Sequence, residues 1–333
     1  MSSGMSHARE YSQQLETAAK FIEQHDDFLV VSHIQPDGDA ASSTYATGWI
    51  LKQLGKSYTM INEGSMPSKF SYLPESDQVI DFNKESSNRR YQTIISVDCA
   101  DFSRMGKIST LFDDQIALLN IDHHPTNDRF GSCHLIKPDA AATVQILYDL
   151  AIHLKLTPSL AFGNCIYTGL LTDTGGFRYS NTSPEVLQMG ATLLALGVQG
   201  AEIAEQVLER VTYSQIVLLQ RALSTLSFAS NRKIAWLAVS LADLDQTGAS
   251  SDDLDGLVNY PRNVEGVEVG MLFKEKASGV IKVSLRSSGG VDVAAIAQSL
   301  GGGGHVRAAG CTLKGTLEDA IVRMVEEVGK ELI

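Results

Sequence analysis

Short runs of consecutive apolar residues alternate along the first half of the chain with longer segments of helical periodicity. The runs at 28–32, 93–97 and 116–121 predict strands buried on both faces. Apolar residues at helical spacing cover 7–25, 40–54, 140–155 and 159–171, and Ser183-Pro184 is a typical helix start. This alternation indicates βαβ units. Residues 1–195 are therefore expected to form an α/β domain with a parallel sheet covered on both faces.

The pattern changes in the second half of the chain. Residues 196–230 are expected to be helical and to link two domains, and 233–240, 267–274 and 280–286 alternate as strands do. Helical patterns follow at about 291–300 and 317–331. Residues 231–333 are thus predicted to form a second, smaller α/β domain with a mixed sheet.

Composition narrows the possible functions. The chain has 333 residues and a net charge of −12, which disfavours binding to long duplex nucleic acid because phosphate neutralisation dominates that affinity. No apolar run is long enough to cross a membrane, and the N-terminus lacks the apolar core of a signal peptide. The four cysteines have no metal-ligand spacing. We therefore expect a cytoplasmic protein with reduced thiols and no membrane partner.

Carboxylates and imidazoles follow each predicted strand of the first domain, at the sheet edge where open α/β folds bind ligands. They are His33, Asp37 and Asp39 after the first strand, Asp98 after the second, Asp122, His123 and His124 after the third, and Asp173 at a helix end. Singly, each aspartate is explained as a cap or turn residue, and a lone histidine such as His33 as an ordinary hydrogen-bonded side chain. Together, the carboxylates would repel one another, and cations would resolve that repulsion. An oxygen-rich set with imidazoles favours two divalent ions, Mn²⁺ more than Mg²⁺, and hence two-metal phosphoester hydrolysis.

A glycine-rich segment in the second domain is the other candidate for ligand binding. Gly301–Gly304 precede His305, and glycines let backbone N–H groups approach a phosphate closely. A helix beginning near His305 would add a favourable dipole, and Arg286 at a strand end could bind phosphate with two hydrogen bonds. The alternative is a flexible linker followed by an ordinary helix. Neither a P-loop nor a dinucleotide-binding glycine motif is present.

These motifs resemble a known family. Asp122-His123-His124, together with the upstream H-x-x-x-D-x-D at 33–39, Asp98 and Asp173, resembles the DHH phosphoesterase superfamily. The segment GGGHVRAAG at 302–310 is similar to the signature of its DHHA1 accessory domain. Order, spacing and length resemble the compact NrnA-like branch of nanoRNases and pAp phosphatases from about residue 25 to 330.

The resemblance implies a role for each candidate residue. One metal would be held by His33, Asp37 and Asp98, and the other by Asp39, Asp98, His123 and Asp173, with Asp98 as the bridge. Asp122 would orient the histidine pair, and His124 would face the scissile phosphate. Arg286 with Gly303, Gly304 and His305 would hold the far end of the substrate across an interdomain cleft. Arg104 and Arg262 are further candidates for phosphate or base contacts.

The resemblance also implies an activity and its substrates. Expected reactions are cleavage of short oligoribonucleotides to mononucleotides and removal of the 3′-phosphate of 3′-phosphoadenosine 5′-phosphate (pAp) to give AMP. Linear dinucleotides are further expected substrates, and a homodimer is plausible. A phosphodiesterase of cyclic-di-AMP or pApA would use the same residues and stays open as an alternative. An inorganic pyrophosphatase is disfavoured by GGGHVRAAG, a RecJ-like exonuclease by length and acidity, and a non-catalytic nucleotide regulator by the complete set of ligands.

Overall fold

The computed structural model describes residues 2–85, 89–250 and 252–332, which form two compact units that divide between Arg210 and Val211. The division lies inside the segment 196–230. In that segment the helix Gly200–Ala204 continues into one wide turn, Glu205–Glu209, and a separate helix begins at Tyr213. The exact domain limits at 195 and 231 stay a prediction.

The first unit is built on a six-stranded sheet in the order β3-β2-β1-β4-β5-β6, with every pair parallel, as predicted. Three of its strands are those expected from the apolar runs, and three are additional. The strands are β1 Phe28–Val31, β2 Tyr58–Asn62, β3 Ile80–Asp81, β4 Tyr91–Val97, β5 Phe112–Asp122 and β6 Cys133–Ile136.

Helices cover one face of this sheet, and a 3₁₀ segment at Phe102–Leu111 covers the other. The helices are α1 Ser2–Gln24, α2 Gly38–Gln53, α3 Thr143–His153, α4 Leu160–Asp173, α5 Pro184–Ala195 and α6 Gly200–Ala204. Within the described ranges, no single helix is long and apolar enough to span a membrane. Pro184–Ala195 and Gly200–Glu209 meet those criteria of length and composition only as a pair, bent by 117°.

All residues of strand β1 are apolar because the strand is buried on both faces of the sheet. Phe28 and Val30 belong to the core under the helices, whereas Leu29 and Val31 belong to the core on the opposite face. Successive side chains in a strand point to opposite faces, so a strand buried on both sides needs apolar residues throughout.

The strand order places a topological switch between β1 and β4. From β1 the chain adds β2 and β3 on one side and then returns to add β4, β5 and β6 on the other. In such sheets the loops at the carboxyl ends of the two central strands diverge and leave a crevice for a ligand. The loop after β1 and the residue after β4 therefore both border this crevice.

The second unit contains a mixed sheet in the order β11-β12-β10-β9-β8-β7, in which only β8 and β9 pair in parallel. Its strands are β7 Ser227–Ala229, β8 Ile234–Val239, β9 Val269–Ala277, β10 Val280–Ser287, β11 Gly303–His305 and β12 Ala308–Lys314. Its helices are α7 Tyr213–Ser224, α8 Leu241–Thr247, α9 Asn259–Arg262, α10 Val293–Ser299 and α11 Leu317–Lys330. The smaller mixed α/β fold is as predicted.

The expectation of a helix beginning near His305 is wrong. Gly303–His305 forms the edge strand β11, which turns directly into β12 with Gly304 opposite Ala309. Gly304 has a φ of 141°, and a Cβ there would lie 2.5 Å from the carbonyl oxygen of Ala308. The glycines thus allow two backbones to approach in a tight hairpin.

Candidate metal centre and active site

Asp98 lies at the end of β4 in a backbone conformation that non-glycine residues rarely adopt. Its φ is 58°, and its N–H donates to the Ile121 carbonyl at 3.0 Å. Aspartate tolerates the left-handed region better than most residues, but the conformation still costs on the order of 1 kcal/mol or more. The Asp98 residue is only 2% exposed. A strained turn therefore holds a buried carboxylate at the edge of the sheet.

A first cluster forms where the loop after β1 meets Asp98. His33 Nε2 lies 3.6 Å from Asp98 Oδ2 and 3.9 Å from Asp37 Oδ1. His33 Nδ1 is 3.0 Å from the carbonyl oxygen of Ile34. Because a carbonyl only accepts, Nδ1 carries a proton, and Nε2 is the ring nitrogen that faces the two carboxylates. Asp37 also caps α2 by accepting from two backbone N–H groups.

A second cluster surrounds His123 and draws on three elements. Its Nε2 atom lies 3.9 Å from Asp39 Oδ2, 3.6 Å from Asp98 Oδ1 and 3.4 Å from Asp173 Oδ2. Its Nδ1 is 3.2 Å from the Ala140 carbonyl oxygen, so Nε2 again faces the carboxylates. The two oxygens of Asp98 thus point to different clusters.

His124 and Asp122 form a third group beside these clusters. His124 Nδ1 is 2.7 Å from Asp122 Oδ1, and the other Asp122 oxygen accepts from Asn127 Nδ2 at 2.6 Å. Asn127 also donates to the Cys99 carbonyl at 3.0 Å. Asp122 is fully buried. Its carboxylate therefore fixes the ring of His124 and is itself fixed by an amide that also holds the turn after Asp98.

The crowding of carboxylates alters their acidity. Burial and then the charge of Asp98 and Asp37 raise the pKa of Asp39 well above its usual value, although two backbone N–H groups oppose this. Burial and the neighbouring aspartates, Asp39 foremost, likewise raise the pKa of Asp173. Burial also acts to raise the pKa of Asp98, but the hydrogen bond from His33 and the charges of the histidines outweigh it and hold that pKa far below normal.

The donors of the first two clusters fit divalent metal ions. Each cluster offers one imidazole nitrogen and at least two carboxylate oxygens, and in each the donor atoms of three residues lie within 4.8 Å of one another. The three-residue sets are His33, Asp37 and Asp98, and Asp39, His123 and Asp173. Carboxylate and imidazole ligands suit Mg²⁺, Mn²⁺ or Zn²⁺. A cation in each cluster would replace mutual repulsion by attraction.

His124 and Arg104 supply positive charge next to these clusters. Burial lowers the pKa of His124, but the hydrogen bond to Asp122 and the charges of Asp98 and Asp122 outweigh it and raise that pKa. Arg104 is close enough for its charge to act on His124. The backbone carbonyl of Arg104 accepts from Ile34 N–H at 2.8 Å, which ties it to the loop that carries His33.

In the second unit, the sheet brings together the residues predicted to bind substrate. Arg286 on β10 is paired with Ala308 on β12, which is paired with His305 on β11, so the side chains of Arg286 and His305 share one face. Gly303 lies on that face one row along, opposite Gly310, and Gly304 forms the tight hairpin between the rows. On the opposite side of β10, Arg286 is paired with Gly270 on β9, and Arg262 packs over Gly270. A Cβ added to Gly270 would lie 2.5 Å from the Cβ of Arg262.

Two contacts to the buried carboxylates were not foreseen from the sequence. One is Asn127, which is in the loop directly after the histidine pair. The other is the first turn of α3, where Thr143 and Val144 meet Asp39. A polar residue after a strand end is a usable signal for Asn127. The start of α3 gives a weaker one, because its N-cap position is Ala142, which has no capping side chain.

Comparison with known families divides the chain in the same order. Residues 27–170 match the DHH family, N-terminal domain, and residues 231–332 match the DHHA1 domain. The clusters described above lie in the first match, with Asp173 just beyond its end. Arg286, Gly303, Gly304, His305 and Arg262 lie in the second.

Two bacterial relatives match nearly the whole chain. A protein of Thermus thermophilus, named bifunctional oligoribonuclease and PAP phosphatase NrnA, is 38% identical over 305 residues, covering 91% of this chain and 89% of the relative. A protein of the same name from Bacillus subtilis is 25% identical and covers 93% of this chain and 97% of its own. Both similarities extend across the two units.

Among solved structures, the fold matches that of an exopolyphosphatase-related protein from Bacteroides fragilis. The TM-score is 0.87 at 24% sequence identity, and the match covers 96% of each chain. RecJ from Thermus thermophilus gives a TM-score of 0.51 at 16% identity and covers 53% of that longer chain. At these identities the likeness concerns the fold alone.

Proposed function

The chain belongs to the DHH family and carries a DHHA1 domain, and from this premise we propose that it is a two-metal phosphoesterase. Its substrates are short oligoribonucleotides, which it hydrolyses to mononucleotides, and pAp, from which it removes the 3′-phosphate to give AMP. The observation that carries the proposal is Asp98, which presents one oxygen to each of two metal-type clusters. The names of the NrnA relatives support the choice of substrates.

We assign two divalent ions, most simply Mn²⁺, to the two clusters. His33, Asp37 and Asp98 would hold one, and Asp39, Asp98, His123 and Asp173 would hold the other. The mixture of imidazole and carboxylate favours Mn²⁺ over Mg²⁺, which prefers oxygen ligands alone. When bound, such a pair supplies Lewis-acid activation of a water nucleophile and compensates charge on the phosphate.

His124 serves the leaving oxygen in this proposal. Its Nδ1 is bonded to Asp122, so the proton to be transferred is the one on Nε2. Its raised pKa keeps the ring protonated up to a higher pH than usual, which suits a general acid. As water attacks phosphorus, the bond from phosphorus to the leaving oxygen breaks, and that oxygen takes the proton. Asp122 positions the ring and stabilises its positive charge.

The remaining candidates bind the substrate. Arg286 and His305, with the open backbone at Gly303 and Gly304 between their rows, offer cationic and N–H donors for a terminal phosphate. Arg262 provides a further contact from beside Gly270. Arg104 contacts the scissile phosphate itself, which agrees with its nearness to His124. Positive charge confined to one site lets a chain of net negative charge bind small anions, whereas the net charge disfavours binding to long duplexes.

We further propose that the protein acts in the cytoplasm and forms a homodimer. The cysteines Cys99, Cys133, Cys165 and Cys311 are buried free thiols, which agrees with a reducing compartment. Size-exclusion chromatography with light scattering measures the oligomeric state directly.

One assay tests the activity and separates it from its alternatives. The purified protein is supplied with Mn²⁺ and incubated in parallel with pAp, pApA, a five-residue RNA, cyclic-di-AMP and pyrophosphate, and products are resolved by anion exchange. We expect hydrolysis of pAp, pApA and the RNA, with pyrophosphate intact. EDTA should stop the reaction and added Mn²⁺ should restore it.

The other outcomes each contradict a different part of the proposal. Faster cleavage of cyclic-di-AMP than of any linear substrate would replace the substrate class while keeping the metal centre. Rapid cleavage of pyrophosphate would contradict the role given to Arg286 and the glycine segment. Full activity in excess EDTA would contradict the two-metal mechanism.

A further inference from the structure

We propose that the first turn of α3 positions both metals, with Thr143 as a positioning residue that joins Asp39 to Asp98. The inference rests on the metal centre of the proposed function, to which it adds a residue outside the ligand set. Thr143 is fully buried. Its backbone N–H donates to Asp39 Oδ2 at 2.5 Å, and its hydroxyl donates to Asp98 Oδ1 at 2.9 Å.

Asp39 and the first turn of α3 stabilise each other. A helix leaves its first N–H groups without partners inside the helix. The residue at the N-cap is Ala142, which has no side-chain acceptor. Asp39, which belongs to α2, supplies the acceptors instead, one oxygen to Thr143 N–H and the other to Val144 N–H at 3.1 Å. The carboxylate thus caps a helix to which it does not belong.

This arrangement fixes the direction of the remaining lone pairs on Asp39. Each carboxylate oxygen has about two acceptor positions, and the α3 N–H groups take one on each. Asp39 Oδ2 still faces His123 Nε2 at 3.9 Å, across the second cluster. Asp39 is therefore held in a fixed orientation before any metal arrives.

The Thr143 hydroxyl couples this cap to the bridging position. Its single proton is directed to Asp98 Oδ1, the oxygen that lies 3.6 Å from His123 Nε2. Asp98 and Asp39 come from the ends of different elements, and Thr143 bonds to both. It therefore sets the separation of two carboxylates that belong to one metal cluster. Partners of this kind typically contribute 10- to 100-fold to metal affinity.

Gly169 packs closely against the contact between Asp39 and α3. A Cβ at that position would lie 2.8 Å from Asp39 Oδ1 and 2.6 Å from a methyl group of Val144. Helix α4 thus closes over the junction from the other side, and only glycine allows the approach. The carboxylate of Asp39 is enclosed by α3 and α4 together.

The test compares three variants by their direct binding of Mn²⁺ without substrate. Thr143→Val removes the hydroxyl and keeps both the shape and the backbone N–H, whereas Thr143→Ser keeps the hydroxyl. Thr47→Val is the matched control, since Thr47 is buried in α2 and its hydroxyl bonds to the Ser43 carbonyl. Isothermal titration of metal-stripped protein should show affinity reduced about 10- to 100-fold in Thr143→Val. The Thr143→Ser and Thr47→Val proteins should stay within about threefold of the parent.

Turnover gives the second measurement. With saturating Mn²⁺, Thr143→Val should lower kcat for pAp while KM changes less than twofold, and Thr143→Ser should restore kcat. Equal Mn²⁺ affinity in Thr143→Val and Thr47→Val would overturn the proposal, as would a Thr143→Ser protein as defective as Thr143→Val. If Thr143→Val does not fold in a melting experiment with EDTA, Thr143→Ala provides the same comparison. Weakened Mn²⁺ binding in a protein that cleaves neither pAp nor RNA would refute the proposed substrates and leave this inference standing.

Discussion

Replacing Asp98 by asparagine tests the two-metal arrangement most directly, because the change removes one charge and almost no volume. The two oxygens of Asp98 lie 3.6 Å from the Nε2 atoms of His33 and His123, one on each side. An asparagine oxygen can still accept from the Thr143 hydroxyl, so the packing of the buried turn is retained. The loss is therefore electrostatic and affects both clusters at once.

The expected size follows from that geometry. At an effective dielectric constant of about 20, two unit charges about 4 Å apart interact by about 4 kcal/mol. A divalent ion at coordinating distance is closer and more highly charged. The interaction energy lost per ion is therefore at least about 4 kcal/mol. Since about 1.4 kcal/mol corresponds to a tenfold change, Asp98→Asn should weaken each Mn²⁺ by roughly 10³-fold or more.

Two measurements follow on the same protein. Isothermal titration with Mn²⁺ gives the number of ions per chain and their affinities, and phosphate release from pAp gives kcat. We expect no measurable second ion and kcat reduced by at least about 10³-fold, since the bridging charge acts on both metals. Asp114→Asn is the matched control, because Asp114 is exposed near the start of β5, eight residues from Asp122 at its end. Two ions bound to Asp98→Asn with parental affinity would refute the bridging role.

Three further predictions concern Asn127, Arg286 and the acidity of the buried aspartates. Asn127→Ala removes the amide that holds Asp122, so kcat should fall about 10-fold with little change in KM, as expected for a group that orients a catalytic partner; steady-state kinetics on pAp checks this. Arg286→Ala should raise KM for pAp about 10-fold or more with kcat nearly unchanged, because a phosphate contact outside the reacting bond contributes binding. The raised pKa values of Asp39 and Asp173 mean that the metal-free fold binds more protons than the unfolded chain above about pH 3.8. The free energy of unfolding of the metal-free protein should therefore fall as the pH rises from about 3.8 through the raised pKa values of these two aspartates. The increase in Tm on adding Mn²⁺ should be larger at pH 8 than at pH 5.

Each of these has its own control. Asn127→Asp should be more damaging than Asn127→Ala, because it would place a second negative charge against the buried Asp122 carboxylate; equal effects would exclude the contact. Arg323→Ala, an exposed arginine on α11, should leave KM unchanged. A Tm increase that is equal at pH 5 and pH 8 would contradict the competition between protons and metal.

The sequence was sufficient to select the carboxylates and imidazoles that the fold brings together, but not every contact that holds them. Each cluster residue follows a strand end or ends a helix, and the order of parallel strands brings such ends to one edge. The apolar runs of β1, β4 and β5 are unmistakable because both faces are buried. The short edge strand β3 has only two residues, both half-buried, and so has no such run.

Of the two contacts missed by sequence reasoning, Asn127 lies only five residues after Asp122, whereas the cap on α3 depends on tertiary structure. The cap on α3 comes from Asp39, which precedes it by 104 residues, and no local pattern encodes so distant a partner. The turn at Gly304 was predicted wrongly because the local sequence there fits two different structures. A glycine run before a histidine is compatible with a helix start or a hairpin, and the pairing of Gly303 with Gly310 decides between them.

The charge balance of the centre is the strongest physical argument that cations belong there. Five carboxylates surround three imidazoles, so with every carboxylate ionised and every ring protonated the group would carry a charge of 3 − 5 = −2. Neutral donors such as Thr143 and Asn127 orient buried carboxylates but do not cancel their charge. Two divalent ions would supply four positive charges to the two clusters in which an imidazole Nε2 converges with carboxylate oxygens, a charge that the side chains of these clusters do not provide.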